Sequence, residues 1–444
     1  MHKPFPAATP ALASARPRIG LLQPLRQRRY RQLWIANFFS NLGGWIQAFA
    51  AAWLVASMSR SALDTTLVQT ATCAPVLMFA LAAGVLADAV PRPKLLFIVN
   101  LAMALAAAAM ALLVLADRVC VGAVLCLIFA MGSGAAFMWP AWQASMSALV
   151  PPQELEAAAA LNNLSFNCAA ALGPALGGLL FQWIGAAPLF VVNALSFAGL
   201  LLVYRDWIAH DGAAAPAGTL AWAGLRAGLQ LGWRSAFGRR SYRHLLGHAG
   251  AIFFGSIAFA ALLPLFVRDV LHLPASVFGI LMASLGGGAI AAAFLLPALR
   301  ARCARRRLVA AGVAIYGALL LALPLLASIS ASTPAPLWLF VGLIGLAGMA
   351  WSAIVTALNG AAQAAFPSAL RARTLSIFLF AVAGGQTAGS LFWGALASYA
   401  GVSAALLAAG AGMLLHGALL AFSAADSALD SSSATMFAST FQEQ

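Results

Sequence analysis

Long apolar runs separated by short polar segments dominate this chain. Two of these runs are 95–116 and 308–327, and each is about as long as a helix that crosses a bilayer. In lipid every backbone polar group needs an internal partner, so the spanning elements should be helices. Strands of a membrane barrel alternate in polarity over about ten residues, and continuous runs of this kind argue against them.

The runs predict about twelve spans, six on each side of a longer polar segment. The predicted spans are 33–58, 66–88, 95–116, 119–139, 160–183, 186–204, 245–267, 274–298, 308–330, 336–358, 374–397 and 401–423. The predicted fold is an all-α membrane protein with twelve transmembrane helices in two six-helix bundles. Its predicted segments are a cytoplasmic tail at 1–31, a bundle at 32–204, a central cytoplasmic loop at 205–244, a second bundle at 245–423 and a cytoplasmic tail at 424–444.

The central loop contains a pattern of its own. Large apolar residues recur there at helical spacing, with basic and amide residues on another face; they are Trp222, Leu225, Leu229, Trp233 and Phe237. This pattern predicts a helix that lies in the membrane interface.

Composition agrees with a membrane protein, because 63% of the residues are hydrophobic and 8% are charged. The net charge of +14 does not indicate nucleic-acid binding, since the basic residues form short clusters between apolar runs. Of the 25 Lys and Arg residues, only Arg60, Arg118 and Arg268 fall on one side of the predicted spans. Basic residues concentrate in cytoplasmic loops, so both termini are predicted to be cytoplasmic.

A motif follows the second predicted span and resembles the loop 2–3 signature of the major facilitator superfamily. It consists of Gly84, Asp88, Arg92 and Lys94. A glycine permits close helix packing, and a carboxylate at a helix end can accept hydrogen bonds from the amino end of a neighbouring helix. The resemblance implies that this contact ties the two bundles together on the cytoplasmic side in the outward-facing state. The alternative is a loop that merely carries charge for topology.

The fifth predicted span contains Gly173, Pro174, Gly177 and Gly178, which resemble a signature of exporters and antiporters in this superfamily. Glycine and proline there would allow a kink and close packing. The alternative is an ordinary packing face of small residues. Longer stretches resemble the enterobactin-exporter-like branch, also called transmembrane secretion effectors; they are 25–34, 41–45, 140–144, 160–167, 264–268 and 367–373.

The chain departs from the family patterns at several positions. Ala89 and Pro91 replace a usual basic residue and a usual glycine in the loop signature. Ala170 and Ile128 stand where related transporters often have arginine. Any anion or carboxylate role of the arginine at position 170 is therefore absent here.

Polar side chains at helical spacing predict the lining of a substrate cavity, because buried amides in lipid should face the bundle interior. The cavity candidates are Asn37, Asn41, Asn167, Thr356, Gln386, Ser390 and Trp393. Asn163 and Gln363 lie nearer the cytoplasmic ends and are predicted gate elements. The alternative for each is a hydrogen bond between helices with no ligand.

No acidic residue lies near the middle of a predicted span, although drug–proton antiporters commonly use one. The remaining candidates for proton coupling are His248, His416 and Asp269. The five cysteines have no metal-binding or redox spacing, and no nucleotide-binding motif is present. We therefore expect no metal, no cofactor and no enzymatic activity.

These observations predict a monomeric transporter in the inner membrane of a bacterium, in contact with lipid and not with nucleic acid. Its predicted function is export of a small amphipathic molecule, a siderophore or a drug, by alternating access. Protons are the candidate coupling ion. The alternatives are an uncoupled facilitator or lipid translocator, and a non-transporting sensor or scaffold that keeps the fold.

The charge distribution makes a prediction about topology. Reporter fusions at both ends of the chain should give a cytoplasmic signal, because 22 of the 25 basic residues lie on that side. A periplasmic signal at either end would rule out the predicted orientation.

Overall fold

The computed structural model of this protein describes residues 20–211, 232–329 and 336–422. The described part is helical, and no strand occurs in it. Twelve long helices follow one another: α1 (Arg28–Met58), α2 (Ala62–Ala89), α3 (Arg92–Leu115), α4 (Val121–Leu149), α5 (Leu155–Ile184), α6 (Ala186–Asp211), α7 (Arg240–Leu265), α8 (Ala275–Arg302), α9 (Arg305–Ile329), α10 (Leu337–Ala364), α11 (Ser368–Ala400) and α12 (Val402–Phe422).

Short elements join some of these helices. Single 3-10 turns precede α1 at Gln23–Arg26 and α5 at Pro152–Glu154, and a π-helical turn at Phe266–Val270 extends α7. Residues 232–238 are also helical, and the Trp233 and Phe237 rings stack there at 4.3 Å. The remainder of the predicted interfacial helix, with Trp222, Leu225 and Leu229, lies outside the described residues, as do most of both predicted tails.

Ten of the twelve helices are long and apolar enough to cross a membrane. The other two are α1 and α2. Amide side chains such as Asn37, Asn41 and Gln47 interrupt the apolar stretch of α1. Several side chains of α2 lie outside the described part.

Several helices extend beyond the predicted spans at one end. The sixth span was predicted to end at 204, but α6 continues to Asp211, into the segment predicted as central loop. The Nδ1 atom of His210 lies 3.2 Å from a carboxylate oxygen of Asp206, four residues earlier, and this contact joins successive turns of the extension. The length of an apolar run indicates only the part of a helix that crosses lipid. The backbone hydrogen bonds of the helix can continue beyond that part, into water.

The packing of the first six helices recurs in the last six. In the first half α1 packs against α5 and α6, while α4 packs against α2 and α3, and α3 against α6. In the second half α7 packs against α11 and α12, while α10 packs against α8 and α9, and α9 against α12. The halves meet mainly through α2 with α11 and through α5 with α8, which are equivalent pairs under the same correspondence.

The two ends of the molecule differ in chemistry. We call the end that contains the α1–α2, α5–α6, α7–α8 and α11–α12 junctions the distal end, and the opposite one the basic end. At the basic end the Tyr30 hydroxyl donates to the carbonyl of Ala158, and Arg239 donates to that of Ala365. A large buried apolar cluster includes residues of both halves, such as Phe49 and Phe278. A smaller one lies in the first half around Tyr30, Trp142 and Tyr204.

Close helix packing within the second half depends on glycines, which have no side chain. A Cβ atom added to Gly288 of α8 would collide with the carbonyl oxygen of Gly345 in α10. One added to Gly348 would collide with the carbonyl oxygen of Leu285. Backbone atoms cannot move aside as a flexible side chain can, so these glycines set the distance between the two helices.

The glycines make a prediction about stability. Gly288→Ala should lower the free energy of unfolding by about 1–3 kcal/mol, because α8 and α10 must separate to admit the methyl group. Gly287→Ala is the matched control, since nothing lies within 4 Å of the added atom there. Thermal melting of both variants in detergent measures the effect. Equal melting temperatures would contradict the packing argument.

Candidate functional site

We call the contact between the two halves at the distal end the distal seam. One part of it lies where α5 crosses α8. A Cβ atom added to Gly178 would lie 2.9 Å from the Cα atom of Gly279, and one added to Gly279 would lie 2.5 Å from the carbonyl oxygen of Pro174. The two backbones are therefore in direct contact. Pro174 and Gly178 both belong to the predicted exporter signature, so this motif contacts the other half of the molecule.

The other two glycines of the motif face α1. A Cβ atom at Gly173 would collide with Trp45, and one at Gly177 would lie 2.9 Å from the Phe49 ring. Phe49 in turn stacks on Phe278 of α8, with ring centroids 4.9 Å apart. Trp53 stacks on the same ring at 5.7 Å. Small residues of α5 thus let large rings of α1 reach across to the second half.

The symmetry-related contact joins α2 to α11 through polar atoms. The hydroxyl groups of Thr70 and Ser390 lie 2.7 Å apart. Nearer the distal end, the backbone N–H of Leu63 donates to the Ser398 hydroxyl at 3.0 Å. These are single hydrogen bonds between uncharged groups, which contribute modestly to stability and exchange readily.

An arginine completes the distal seam. Arg268 donates to both carboxylate oxygens of Asp269, at 2.5 and 2.8 Å, and its remaining Nη1 group donates to the carbonyl oxygen of Ser59 at 3.3 Å. Ser59 lies at the carboxyl end of α1, where the helix dipole favours a positive charge. The Ser59 hydroxyl also donates to Asp64 at 2.6 Å. Asp269, predicted as a coupling candidate, therefore orients the arginine that joins the halves.

The predicted cavity residues occupy varied environments. Asn37 is buried, and Asn41, Asn167 and Gln386 are half-buried. Ser390 is fully buried in the α2–α11 contact, as described above. The Trp393 ring donates to the carbonyl of Phe254 at 2.7 Å.

The remaining predicted polar positions are more open. Thr356 is exposed, and its hydroxyl donates to the backbone carbonyl oxygen of Ser352 within α10. Asn163 and Gln363, the predicted gate elements, are exposed toward the basic end. Asn37, Asn41 and Asn167 stay the cavity candidates of α1 and α5, two helices whose Trp45 and Phe166 rings meet at 5.8 Å.

One buried amide cluster was not singled out from the sequence. The Asn193 side chain of α6 donates to the Gln47 oxygen of α1 at 2.5 Å, and the Gln47 amide donates to the Met131 sulfur of α4. Gln47 and Asn193 are 4% and 0% exposed, which leaves no room for a ligand at these atoms. The predicted cavity stripe on α1 consists of Asn37 and Asn41, which share one face of the helix. Gln47 lies on another face of α1, toward α6, so the sequence analysis did not include it.

The two predicted coupling histidines are in contact. Nδ1 of His248 in α7 lies 3.3 Å from Nε2 of His416 in α12, and the rings are nearly perpendicular. In a neutral pair of this geometry one ring donates N–H and the other accepts. Both side chains are half-buried. His248 lies about 12 Å along α7 from its first residue, so the pair sits two turns inside the basic end.

The predicted loop signature occupies the α2–α3 junction at the basic end. Positions 84 and 88 lie in the last turns of α2, and their surroundings are outside the described part. Arg92 and Lys94 are exposed in the first turn of α3. The tie between Asp88 and a neighbouring helix stays a prediction.

Helices that cross a membrane, a repeated packing order and a seam between two halves define a multi-pass membrane protein with the architecture of a transporter. The chain matches the transmembrane secretion effector family over residues 19–443. It belongs to this family of the major facilitator superfamily, which confirms the resemblance inferred from its motifs. It is therefore a transporter and not an enzyme.

Known proteins agree with this assignment. The chain is 27% identical over 394 residues to the multidrug efflux pump Tap of Mycolicibacterium fortuitum, covering 86% of this chain and 92% of that protein. Its fold is similar to that of a POT family transporter in complex with a thioalcohol-conjugated peptide, with a TM-score of 0.73, 12% identity and coverage of 90% and 98%. It is also similar to a bacterial homologue of the lysosomal transporter Spinster in an inward-facing, occupied conformation, with a TM-score of 0.66, 15% identity and coverage of 89% and 96%.

The distal seam makes a prediction about conformation. Arg268→Gln removes the charged donor to Ser59, so the distal end should open more often. We expect an introduced cysteine at Thr66, which is fully buried, to react with a thiol reagent about fivefold faster, as expected for loss of one partly exposed charged hydrogen bond. The background should lack the five native cysteines.

Two further variants interpret the result. Arg118→Gln removes another exposed distal arginine and should leave the reaction rate unchanged. Arg268→Lys keeps the charge without the planar fork and should give an intermediate rate. Equal rates in Arg268→Gln and Arg118→Gln would show that the Ser59 contact does not hold the seam.

Proposed function

We propose that the protein exports a small amphipathic molecule across the bacterial inner membrane by alternating access. The observation that carries this proposal is the distal seam, in which glycine contacts, ring stacks and a few exchangeable polar contacts join two halves that share one packing order. Such a joint is suited to opening as a unit. The efflux function named for the Tap relatives favours export and favours a drug over a siderophore as the substrate class.

In this proposal all twelve long helices cross the membrane as two six-helix bundles, 32–204 and 245–423, with both termini cytoplasmic. The distal end then faces outward, and a closed distal seam corresponds to an inward-facing state. Switching to the outward-facing state breaks the Arg268, Ser390 and Ser398 contacts and closes the basic end. The Asp88 signature stabilises that second state.

The substrate lies between the halves, against Asn37, Asn41 and Asn167 on one side and Gln386 on the other. Ser390 and Trp393 shape the distal limit of the cavity through their contacts with α2 and α7. A site formed by amides and aromatic rings, with the described acidic residues near helix ends, suits a neutral or anionic amphipathic molecule better than a polycation.

Proton coupling in this proposal uses the His248–His416 pair. Protonation of the accepting ring turns its accepting nitrogen into a donor, so the hydrogen bond between the two rings must then rearrange. Since the pair bridges α7 and α12, a change in its protonation changes the contact between two helices of the second bundle. The second candidate is an uncoupled facilitator, favoured by the position of the described carboxylates near helix ends.

Transport in proteoliposomes tests export and coupling together. Nile red and 1-anilinonaphthalene-8-sulfonate serve as neutral and anionic probes, and spermine serves as the polycation. We expect wild-type protein to move both dyes and not spermine, and to move them faster with an imposed pH gradient.

Asn41→Leu and Asn167→Leu should weaken dye binding with little change in melting temperature. Asn193→Leu should mainly lower the melting temperature, because it leaves the Gln47 side-chain oxygen without its buried hydrogen-bond donor.

The coupling step is tested by His248→Gln, with His244→Gln one turn earlier as the control. The gradient response should disappear only in His248→Gln. A wild-type flux that ignores the gradient would leave the facilitator, and a response that survives in His248→Gln would assign the proton to another group. Absence of dye transport in the folded wild-type protein would contradict the proposed substrate class.

A further inference from the structure

An apolar groove runs along the outer face of α1 and α6. Its floor is made of small residues, at which the two helices approach closely. A Cβ atom added to Gly43 would lie 2.6 Å from the Ser196 hydroxyl, and one added to Gly199 would lie 3.4 Å from the Cβ atom of Ala36. All four of these residues line the groove.

Large side chains form the walls of this α1–α6 groove. Phe39 of α1 is 56% exposed, and Leu195 and Leu202 of α6 are 66% and 65% exposed. Asn37 and Asn41 lie on the opposite side of α1 by helical spacing, so the groove is separate from the proposed substrate cavity. In a multi-pass membrane protein, exposed apolar walls on an outer helix face contact lipid.

The dimensions of the groove fit one acyl chain. On α1 it extends from Gln32 to Ile46, about 21 Å at 1.5 Å per residue. One leaflet of a bilayer contributes about half of the 30 Å hydrocarbon core. A chain that enters at the end near Gln32 therefore finds a continuous apolar path through its whole leaflet.

The mouth of the groove is basic. Arg28 lies one turn before Gln32 and on the same face of α1, and it is exposed. Arg31 and Arg205 are exposed beside it. Asp206, at the matching end of α6, contributes one negative charge there and lies 3.2 Å from His210. The excess charge at this end is positive, and basic pockets between transmembrane helices bind anionic lipid head groups.

The corresponding helix of the second half has a different outer face. In α7, the counterpart of α1, no large apolar side chain of the described residues is exposed, and Phe253, Phe259 and Leu262 are buried. The exposed residues of α7 lie in its first turns and are basic or small, among them Arg243, Gly247 and Ala251. The outer face of α7 therefore lacks a wall of the kind that Phe39 forms on α1.

We propose that the α1–α6 groove binds one anionic glycerophospholipid, with an acyl chain between Phe39 and Leu195 and its phosphate at Arg28. The bound lipid fills the outer side of the contact between α1 and α6, where the groove floor is made of small residues, and it adds to the Gln47–Asn193 hydrogen bond that already joins the two helices. It stabilises the α1–α6 pair without entering the substrate cavity. The inference depends on the membrane location of the chain and not on the direction or substrate of transport.

Native mass spectrometry of the delipidated full-length protein tests this proposal, with dioleoylphosphatidylglycerol and dioleoylphosphatidylcholine as probes. Wild-type protein should retain one phosphatidylglycerol molecule more strongly than phosphatidylcholine. Arg28→Gln should weaken phosphatidylglycerol retention about fivefold, as expected for one basic residue at an anionic head group. The double variant Phe39→Ala with Leu195→Ala should weaken retention of both lipids.

Matched controls separate this site from lipid contact in general. Arg240→Gln changes the exposed first residue of α7, the counterpart of Arg28, and Leu105→Ala changes an apolar side chain of α3 that is 62% exposed. Both should bind as the wild type does. If the double variant does not fold, Gly199→Ala adds a methyl group to the groove floor and should still lower retention.

Three results would overturn the proposal. These are equal retention of the two lipids by the wild type, equal effects of Arg28→Gln and Arg240→Gln, and a lipid-free dimer that disappears in the wall variant. The last result would assign the groove to a second copy of the chain.

Discussion

Close approach of helix backbones at glycine is the constraint on which this structure depends. Lipid tails are as apolar as leucine, so helices in a membrane gain little from burying apolar side chains against each other and are held by close packing and hydrogen bonds. Gly288 and Gly348 bring α8 against α10 within one half, and Gly178 and Gly279 bring α5 against α8 between halves. Glycine contacts thus set the distance between helices both inside one half and between the two halves.

The contacts around these glycines differ according to location. Inside the first half, Gln47 and Asn193 are buried and hydrogen-bonded to each other across α1 and α6, a contact that water cannot replace without local opening. At the distal seam the polar contacts involve hydroxyl groups and one partly exposed arginine, whose hydrogen bonds water could replace. The proposed alternating access would use this difference, since it needs halves that keep their own packing and a joint whose contacts can exchange.

The two halves share their packing order but have diverged on their surfaces. The outer face of α1 is a groove with small residues along its floor, whereas the corresponding helix α7 is largely buried and carries the histidine that meets His416. The first half is therefore the better candidate for a structural lipid, and the second for proton coupling. The two halves share the packing of their helices, and individual side chains in each half distinguish their proposed roles.

The sequence by itself determined the helical class, the order of the elements and the family. Apolar run length reports lipid crossing, because backbone groups in lipid must bond within their own helix, and this signal is local in the chain. The glycine–proline motif of α5 was also evident, because small residues in a transmembrane segment indicate close packing. The contact of this motif with Gly279 was not evident, since its partner lies about one hundred residues away.

Only the tertiary structure decided which polar residues meet. Helical spacing placed Ser390 and Asn41 in similar stripes, but Ser390 lies in a contact between halves and Asn41 is half-buried on α1. His248 and His416 were separate candidates in the sequence and became one pair in space. The groove between α1 and α6 left no signal in either helix alone, because it arises from the distance between two backbones. Periodicity gives the face of a helix, and only packing decides whether that face meets lipid, another helix or a cavity.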